Sequence, residues 1–209
     1  MKLFLRSFAL AIGLFFFTTL YLSAQVDRTF WFVAPDASLS HSNEDQYIKL
    51  RLTNVSAVAA TVTISMPKNS TFATQTIVIN PGVQSTVTLN KADVENGTDG
   101  NRTTDLPVMN KGLLIESTQD ITAYYEVGDK NNPDKFTLKG NSALGTEFYV
   151  PSNLDYRNYP LTIKAKEKID IVATEDTKVT ITPTTDCVGG RKAGESFDID
   201  LKRGETYCL

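Results

Sequence analysis

The chain has 209 residues, of which 41% are hydrophobic and 22% charged, with 21 lysines and arginines against 24 aspartates and glutamates. This composition is typical of a globular protein with one or two domains. The net charge of −3 argues against a nucleic-acid or anionic-membrane partner, since both require a basic surface.

The first 24 residues predict a cleaved signal peptide. Lys2 and Arg6 precede an apolar stretch from Phe8 to Leu22, and Ser23 and Ala24 offer a small-residue cleavage site. The apolar stretch is shorter than the roughly 20 residues of a spanning helix, so we expect export and no membrane span after cleavage. Cleavage removes two of the 21 basic residues and no acidic one, which leaves 19 against 24 and a net charge of −5.

The mature chain predicts an all-β fold with strands spaced as in β-sandwiches. Tyr47–Asn54 places Ile48, Leu50 and Leu52 on one face, and Asn80–Val83 has the Pro-Gly pair of a type II turn between two strands. Further strands are predicted over GLLIEST, ITAYYEV, EFYVP, PLTIKA, KIDIVAT, KVTITP, SFDIDL and GETYCL. No window of helical length carries a 3.6-residue period.

One polar stretch, from Asn90 to Lys111, predicts a long loop. Acidic residues in this loop and elsewhere are candidate calcium ligands by residue type alone: Asp93, Glu95, Asp99, Asp129, Asp134, Asp198 and Asp200. None of them has the ligand spacing and turn glycine of a known calcium loop. We therefore expect solvated loops and strand faces, and neither a metal nor a cofactor.

Comparison of the chain with itself indicates an internal repeat. Thr29–Pro35 resembles Thr146–Pro151, and a displacement of 117 residues carries Trp31, Phe32 and Val33 onto Phe148, Tyr149 and Val150. The same displacement carries Thr61–Ser65 onto Lys178–Thr182. A displacement of 122 carries Ile77, Ile79 and Gly82 onto Ile199, Leu201 and Gly204. We expect two related β-sandwich-like units in tandem, at residues 25–141 and 142–209. Chance similarity between alternating strands is the alternative.

The end of the chain predicts an incomplete second unit. In this alignment Lys202–Glu205 takes the place of the turn Asn80–Val83, and Tyr207 and Leu209 follow it. The strand then stops two residues before the position of Leu89. We expect the second unit to be truncated there.

The two cysteines, Cys187 and Cys208, allow a single intramolecular disulfide. Cys208 could reach Cys187 across the sheet if strands 178–183 and 205–209 are neighbours. Two unpaired thiols with partners in further sequence are the alternative.

Catalytic constellations are not evident, and we expect no enzyme activity. The one histidine, His41, lies in a polar run, and the acidic pair Glu175–Asp176 lies in a turn. No nucleophile elbow or phosphate loop is present. Four Asn-x-Ser/Thr sequons arise in a chain rich in these residues, so composition alone explains them: Asn54, Asn69, Asn96 and Asn101.

Several blocks of the chain resemble a known family. Asn110–Glu126, Asn131–Pro151, Asp170–Thr184 and Phe197–Leu209 resemble successive blocks of the IgGFc-binding protein N-terminal domain family, and Thr29–Pro35 resembles its opening block. The resemblance is closest to the versions found on exported proteins of Bacteroidetes.

The resemblance implies a secreted or surface-displayed β module that binds an extracellular protein or glycan. Immunoglobulin and mucin are suggested by the family name only, and no contact motif carries over to numbered residues. Candidate contact residues are Tyr124, Tyr125, Tyr156 and Tyr159, each with packing as the alternative. An accessory β domain of a larger secreted enzyme, or of a gliding or type IX-secreted surface protein, is the alternative function.

Overall fold

The computed structural model describes residues 25–35, 47–97, 107–128, 134–151 and 167–209. Strands dominate these ranges, which confirms the all-β prediction. The elements are β1 Val26–Pro35, β2 Tyr47–Asn54, β3 Ala60–Ser65, β4 Gln75–Ile79, β5 Gln84–Leu89, α1 Lys91–Val94, β6 Glu95–Asn96, β7 Gly112–Gly128, β8 Asp134–Thr137, β9 Asp170–Val172, β10 Thr177–Ile181, β11 Phe197–Leu201 and β12 Thr206–Cys208. The predicted signal peptide and the strand PLTIKA lie outside the described residues.

The strand β7 is the centre of an eight-stranded sheet formed by β1 to β8. Its first half lies between β1 and β3, so that Glu116 is opposite Thr29 on one side and Thr63 on the other. Its second half pairs with β2 and β8, and Tyr125 is opposite Leu50 and Phe136. The sequence predicted two strands here, and the structure joins them into one of 17 residues.

The core of this sheet follows the alternation in the sequence. Ile48, Leu50 and Leu52 on β2 are fully buried, as their spacing predicted, and so are Val62 and Ile64 on β3. The other buried members are Phe30, Ala34, Ala60, Met66, Ile79, Val87, Leu89, Val94, Leu113, Ile115, Ile121, Ala123, Tyr125 and Leu138. Burial of each large side chain contributes roughly 1.5–3 kcal/mol.

An ion pair between a half-buried arginine and a buried carboxylate joins β2 to β7. The Arg51 guanidinium donates from Nε to Oε2 of Glu126 at 2.7 Å and from Nη2 to Oε1 at 3.0 Å, and Lys135 Nζ lies 3.5 Å from Oε2. Glu126 is only 3% exposed. The hydrogen bonds from Arg51 are the largest cause that lowers the pKa of Glu126 from 4.5 to about 2.

The predicted loop from Asn90 to Lys111 contains α1 and β6, which corrects the expectation of a continuous loop. The Asn90 side chain accepts a hydrogen bond from the Ala92 N–H at 3.2 Å and begins α1, whose Val94 is buried. At the other end, the Lys111 ammonium donates to the carbonyls of Ala92 and Asp93 at 2.8 and 2.7 Å. These contacts close the base of the segment.

The last four strands form two short antiparallel pairs, β9 with β12 and β10 with β11. The β10–β11 register, with Thr177 opposite Leu201, repeats the β3–β4 register, with Ala60 opposite Ile79, at displacements of 117 and 122. The register between β9 and β12 repeats the register between β2 and β5. A displacement of 119 carries Arg51–Thr53 onto Asp170–Val172, and a displacement of 122 carries Gln84–Thr86 onto Thr206–Cys208.

The turns between these pairs repeat as well. The Ala173 N–H donates to the Glu205 carbonyl at 3.0 Å, and the Gly204 N–H donates to the Ala173 carbonyl at 2.7 Å. Asn54, Gly82 and Val83 make the same two bonds at 3.1 and 3.0 Å. Gly82 and Gly204 both have positive φ, at 69° and 83°, as the predicted turn requires. These registers support the proposed tandem units, which remain a prediction.

The segment Thr146–Pro151 departs from its predicted counterpart. Trp31, Phe32 and Val33 of β1 pair with β7, whereas Glu147–Pro151 forms no strand, so the strand predicted as EFYVP is wrong. Alternation alone does not produce a strand, because strand geometry requires a paired neighbour. Within the described residues, no counterpart of β7 lies beside this segment.

Candidate binding surface

A buried polar junction joins the C-terminal strands β9–β12 to the first sheet. The Asn96 amide nitrogen donates to Asp170 Oδ1 at 2.8 Å, and the Thr206 hydroxyl donates to Asn96 Oδ1, also at 2.8 Å. Met109 and Thr206 exchange two backbone hydrogen bonds of 2.9 and 2.8 Å. Asn96 and Thr206 are fully buried, so these bonds replace water at both side chains.

Close backbone contact completes the junction. The Gly112 N–H donates to the Gly204 carbonyl at 3.2 Å, and a side chain at position 112 would meet that oxygen at 2.6 Å. The Arg203 guanidinium lies 5.0 Å from the centre of the Trp31 ring. The C-terminal strands are thus held against the end of β1 and the start of β7.

The apolar face of β10 and β11 is only half covered. Val179, Ile181, Phe197 and Ile199, which we call the open face, are partly buried and pack on a small cluster formed by Ala173, Leu201 and Tyr207. The Arg191 guanidinium lies 3.9 Å from the centre of the Phe197 ring. By contrast Val62 and Ile64, the counterparts of Val179 and Ile181, are fully buried. The open face therefore exposes apolar surface, whereas the corresponding surface of the first sheet is buried.

A second exposed apolar surface lies nearby in sequence. Phe148, Tyr149 and Val150, which we call the aromatic segment, are 65%, 89% and 54% exposed. The Tyr149 hydroxyl donates to Glu147 Oε1 at 2.9 Å, which orients the ring's polar end. Sequence patterning missed this surface because it assigned the segment to a strand.

The tyrosines proposed as contact residues differ in how exposed they are. Tyr125 is 1% exposed, and its ring centre lies 4.5 Å from that of Phe32 and 6.0 Å from that of Phe136, so it is a core residue. Tyr124 is half-buried on β7. Tyr156 and Tyr159 lie outside the described residues.

The structure does not show the predicted disulfide between Cys187 and Cys208, and this pairing stays a prediction. Cys187 follows β10 and donates its thiol to the Thr185 carbonyl at 3.4 Å, whereas Cys208 is buried in β12. The prediction required strands 178–183 and 205–209 to be neighbours, but β10 pairs with β11 and β12 pairs with β9. The two cysteines therefore lie on strands that do not pair.

Carboxylates in the described ranges do not cluster for metal binding: no group of three or more His, Cys, Asp or Glu side chains there could hold an ion. Glu95 is buried, and its Oε2 lies 3.8 Å from Lys91 Nζ. Asp198 accepts a hydrogen bond from the Thr180 hydroxyl at 2.7 Å. Asp176 accepts from the Arg203 N–H at 2.9 Å, which is the largest cause lowering its pKa. His41, Asp99 and Asp129 lie outside the described residues, and absence of a metal and of catalysis stays a prediction.

Two of the sequons have structural roles. Asn54 is fully buried, and its amide nitrogen donates to the carbonyls of Val58 and Ile79 at 2.7 and 2.9 Å. Asn96 is part of the junction. Neither side chain is accessible to a glycosyltransferase in the folded protein, and Asn101 lies outside the described residues.

Comparison with known proteins shows that the C-terminal part of the chain is similar to one protein family. Residues 134–209 match the family model of the IgGFc binding protein, which confirms the predicted resemblance over this range and supports a binding module. The similar blocks at Asn110–Glu126 and Thr29–Pro35 lie outside the match. Neither the curated proteins nor the solved structures contain a match to the chain. No helix in the described ranges has the length and apolar character to cross a membrane.

Proposed function

We propose that this chain is a secreted or cell-surface, non-catalytic binding module for an extracellular protein. The Fc part of immunoglobulin is the first ligand to test, because the family that matches residues 134–209 is named for it. Mucin and other glycoproteins follow. The predicted signal peptide supports export, since a short basic start precedes an apolar stretch and a small-residue cleavage site.

One observation carries the proposal: the family-matched range contains the aromatic segment. Three consecutive apolar residues, Phe148, Tyr149 and Val150, are each more than half exposed within residues 134–209. Contiguous apolar exposure of this kind marks interaction sites, because the hydration of such surface is unfavourable until a partner covers it. Aromatic residues also dominate the energetics of protein interfaces.

The aromatic segment has the chemistry of an anchor. A ligand pocket that buries Phe148 and Tyr149 would gain roughly 1.5–3 kcal/mol from each side chain. The Tyr149 hydroxyl, oriented by Glu147, would stay at the polar rim. Loss of both rings is expected to weaken binding at least about a hundredfold, since each 1.4 kcal/mol is about tenfold.

Biolayer interferometry with immobilised Fc, Fab and mucin tests the proposal. We expect the protein to bind at least one of them, with the double variant Phe148→Ser/Tyr149→Ser weakened as above. Val78→Ser is the matched control, because Val78 is an apolar residue of the first sheet that is 66% exposed. Absence of binding to the whole panel, or equal loss in the control, would refute the proposal.

A further inference from the structure

Asn96 and Gly97 form a pair of residues that can deamidate. The backbone nitrogen of the residue after an asparagine can attack the side-chain Cγ, and a glycine leaves this attack unhindered because it has no side chain. Asn96–Gly97 is the one Asn-Gly pair in the sequence. The fold requires the glycine, since its φ of 142° lies in the region that side chains rarely adopt.

The junction between β6, β9 and β12 protects the Asn96 amide from this reaction. Nδ2 of Asn96 donates to Asp170 Oδ1 at 2.8 Å, and Oδ1 accepts from the Thr206 hydroxyl at 2.8 Å. Attack on Cγ makes the planar amide tetrahedral and expels Nδ2, so the reaction disrupts both bonds. Asn96 is also fully buried, which excludes the water that the reaction needs.

The strands that cover Asn96 have a small core of their own. In the cluster formed by β9 to β12, the fully covered apolar side chains are Ala173, Leu201 and Tyr207, and the open face is half-buried. The first sheet instead has a continuous core on both sides of β7. Local opening costs least where the fewest apolar side chains are buried. We therefore expect β9 and β12 to detach from Asn96 more often than the first sheet unfolds.

We infer that Asn96 is a deamidation site that reacts only while β9 and β12 are detached from it. The Gly97 nitrogen loses its proton to hydroxide and bonds to Asn96 Cγ, and Nδ2 takes a proton from water and leaves as ammonia. Water then opens the resulting succinimide at either carbonyl and gives an aspartate or an isoaspartate. The overall reaction consumes one water and releases one ammonia, without an enzyme or a cofactor.

Either product makes the detachment permanent. An aspartate at position 96 places a carboxylate where the amide donated to Asp170, and two buried carboxylates at this distance repel each other. An isoaspartate adds a methylene to the backbone, which disrupts the register of β6 beside Ala34 and Pro35 of β1. This site uses other residues than the aromatic segment and does not depend on the ligand proposed above.

Peptide mapping by mass spectrometry, with separation of aspartate from isoaspartate, measures the reaction rate at Asn96. Thr206→Val removes the donor to Asn96 Oδ1 and keeps the side-chain shape, and Thr76→Val on an exposed strand face is the matched control. We expect Thr206→Val to deamidate at least about fivefold faster than the natural protein and the control, because the junction opens more often. Equal rates in the three folded proteins, or a natural rate equal to that of the chain unfolded in guanidinium chloride, would overturn the inference.

Two further variants test the consequence without the reaction. Asn96→Asp places the second carboxylate beside Asp170, whereas Asn96→Asp/Asp170→Asn restores one amide and one carboxylate in exchanged places. The N–H groups of Met109 and Thr206 donate to each other's carbonyls across the junction, so their hydrogen exchange reports its opening. We expect exchange at least about tenfold faster in the single variant and close to natural in the double variant, with slow exchange at Ile64 as the check on folding. Natural exchange in the single variant, or equally fast exchange in both, contradicts the inference.

Discussion

Acid is expected to lower the free energy of unfolding by protonating the Glu126 carboxylate. Its pKa is lowered to about 2 by the Arg51 hydrogen bonds, against 4.5 in a solvated chain. A carboxylate with a lowered folded-state pKa stabilises the protein above its unfolded pKa, and this stability is lost as pH falls through the folded pKa. The window for Glu126 therefore runs from about pH 4.5 down to about pH 2.

The magnitude follows from the size of this difference. At about 1.36 kcal/mol for each pKa unit, the full contribution is about 3 kcal/mol, and about 2 kcal/mol of it disappears between about pH 5 and about pH 3. Glu126 is 3% exposed, but Arg51 is 28% exposed, so solvent screens part of the interaction and the figure is an upper value. The variant Glu126→Gln keeps the shape of the side chain but does not titrate.

Urea unfolding at the two pH values measures the effect. We expect the free energy of unfolding of the natural protein to fall by about 2 kcal/mol more than that of Glu126→Gln. Glu175→Gln serves as control, because Glu175 is exposed in a turn, and it should behave like the natural protein. Equal pH dependence of the natural protein and Glu126→Gln would refute the role assigned to the Arg51 pair.

Two further predictions concern backbone geometry and the junction. Gly82→Ala should lower the free energy of unfolding by about 1 kcal/mol, because an alanine is strained at a φ of +69°. The new methyl group itself meets no atom within 4 Å. Gly112→Ala should cost more than about 2 kcal/mol in urea unfolding, since its methyl would lie 2.6 Å from a backbone oxygen; equal costs would contradict this. Thr206→Val should cost about 1–3 kcal/mol by leaving buried Asn96 Oδ1 without its donor, and Thr76→Val on an exposed strand face should change stability by less than about 0.5 kcal/mol. A Thr206→Val variant as stable as its control would show that the junction bond is unimportant.

The strands with strict alternation could be predicted from the sequence, because burial on one face fixes a period of two. Ile48, Leu50 and Leu52 are an example, and the turn at Gly82 followed from its Pro-Gly pair. The apolar positions that match at displacements of 117 and 122 lie in strand pairs with matching registers, and the repeat itself stays a prediction.

Other features depend on contacts between distant residues, which local patterning does not contain. The polar residues Thr118–Asp120 resemble a turn in the sequence, but β7 continues through them although the registers with β1, β2 and β3 stop at or before Ser117 and resume at Ile121. Hydrogen bonds from the Val55 N–H to the Asp120 carbonyl and from the Asp120 N–H to the Ser56 hydroxyl hold this part of the strand. The aromatic segment consists of residue types that favour strands but has no paired neighbour in the described ranges. The disulfide prediction assumed that strands 178–183 and 205–209 are neighbours, whereas β10 pairs with β11 and β12 pairs with β9.

The position of β7 in the chain has a consequence for synthesis. Because β7 lies between β1 and β3 and pairs with both, these two strands cannot join one sheet until residues 112–117 have been synthesised. A nascent chain that has been synthesised only as far as β5 can form the β2–β5 and β3–β4 pairs but not the complete sheet. Pairing of β1 with β7, which are far apart in the sequence, is slow. We expect a ribosome-bound chain stopped before Gly112 to be digested by protease, and one that has released Gly128 to resist.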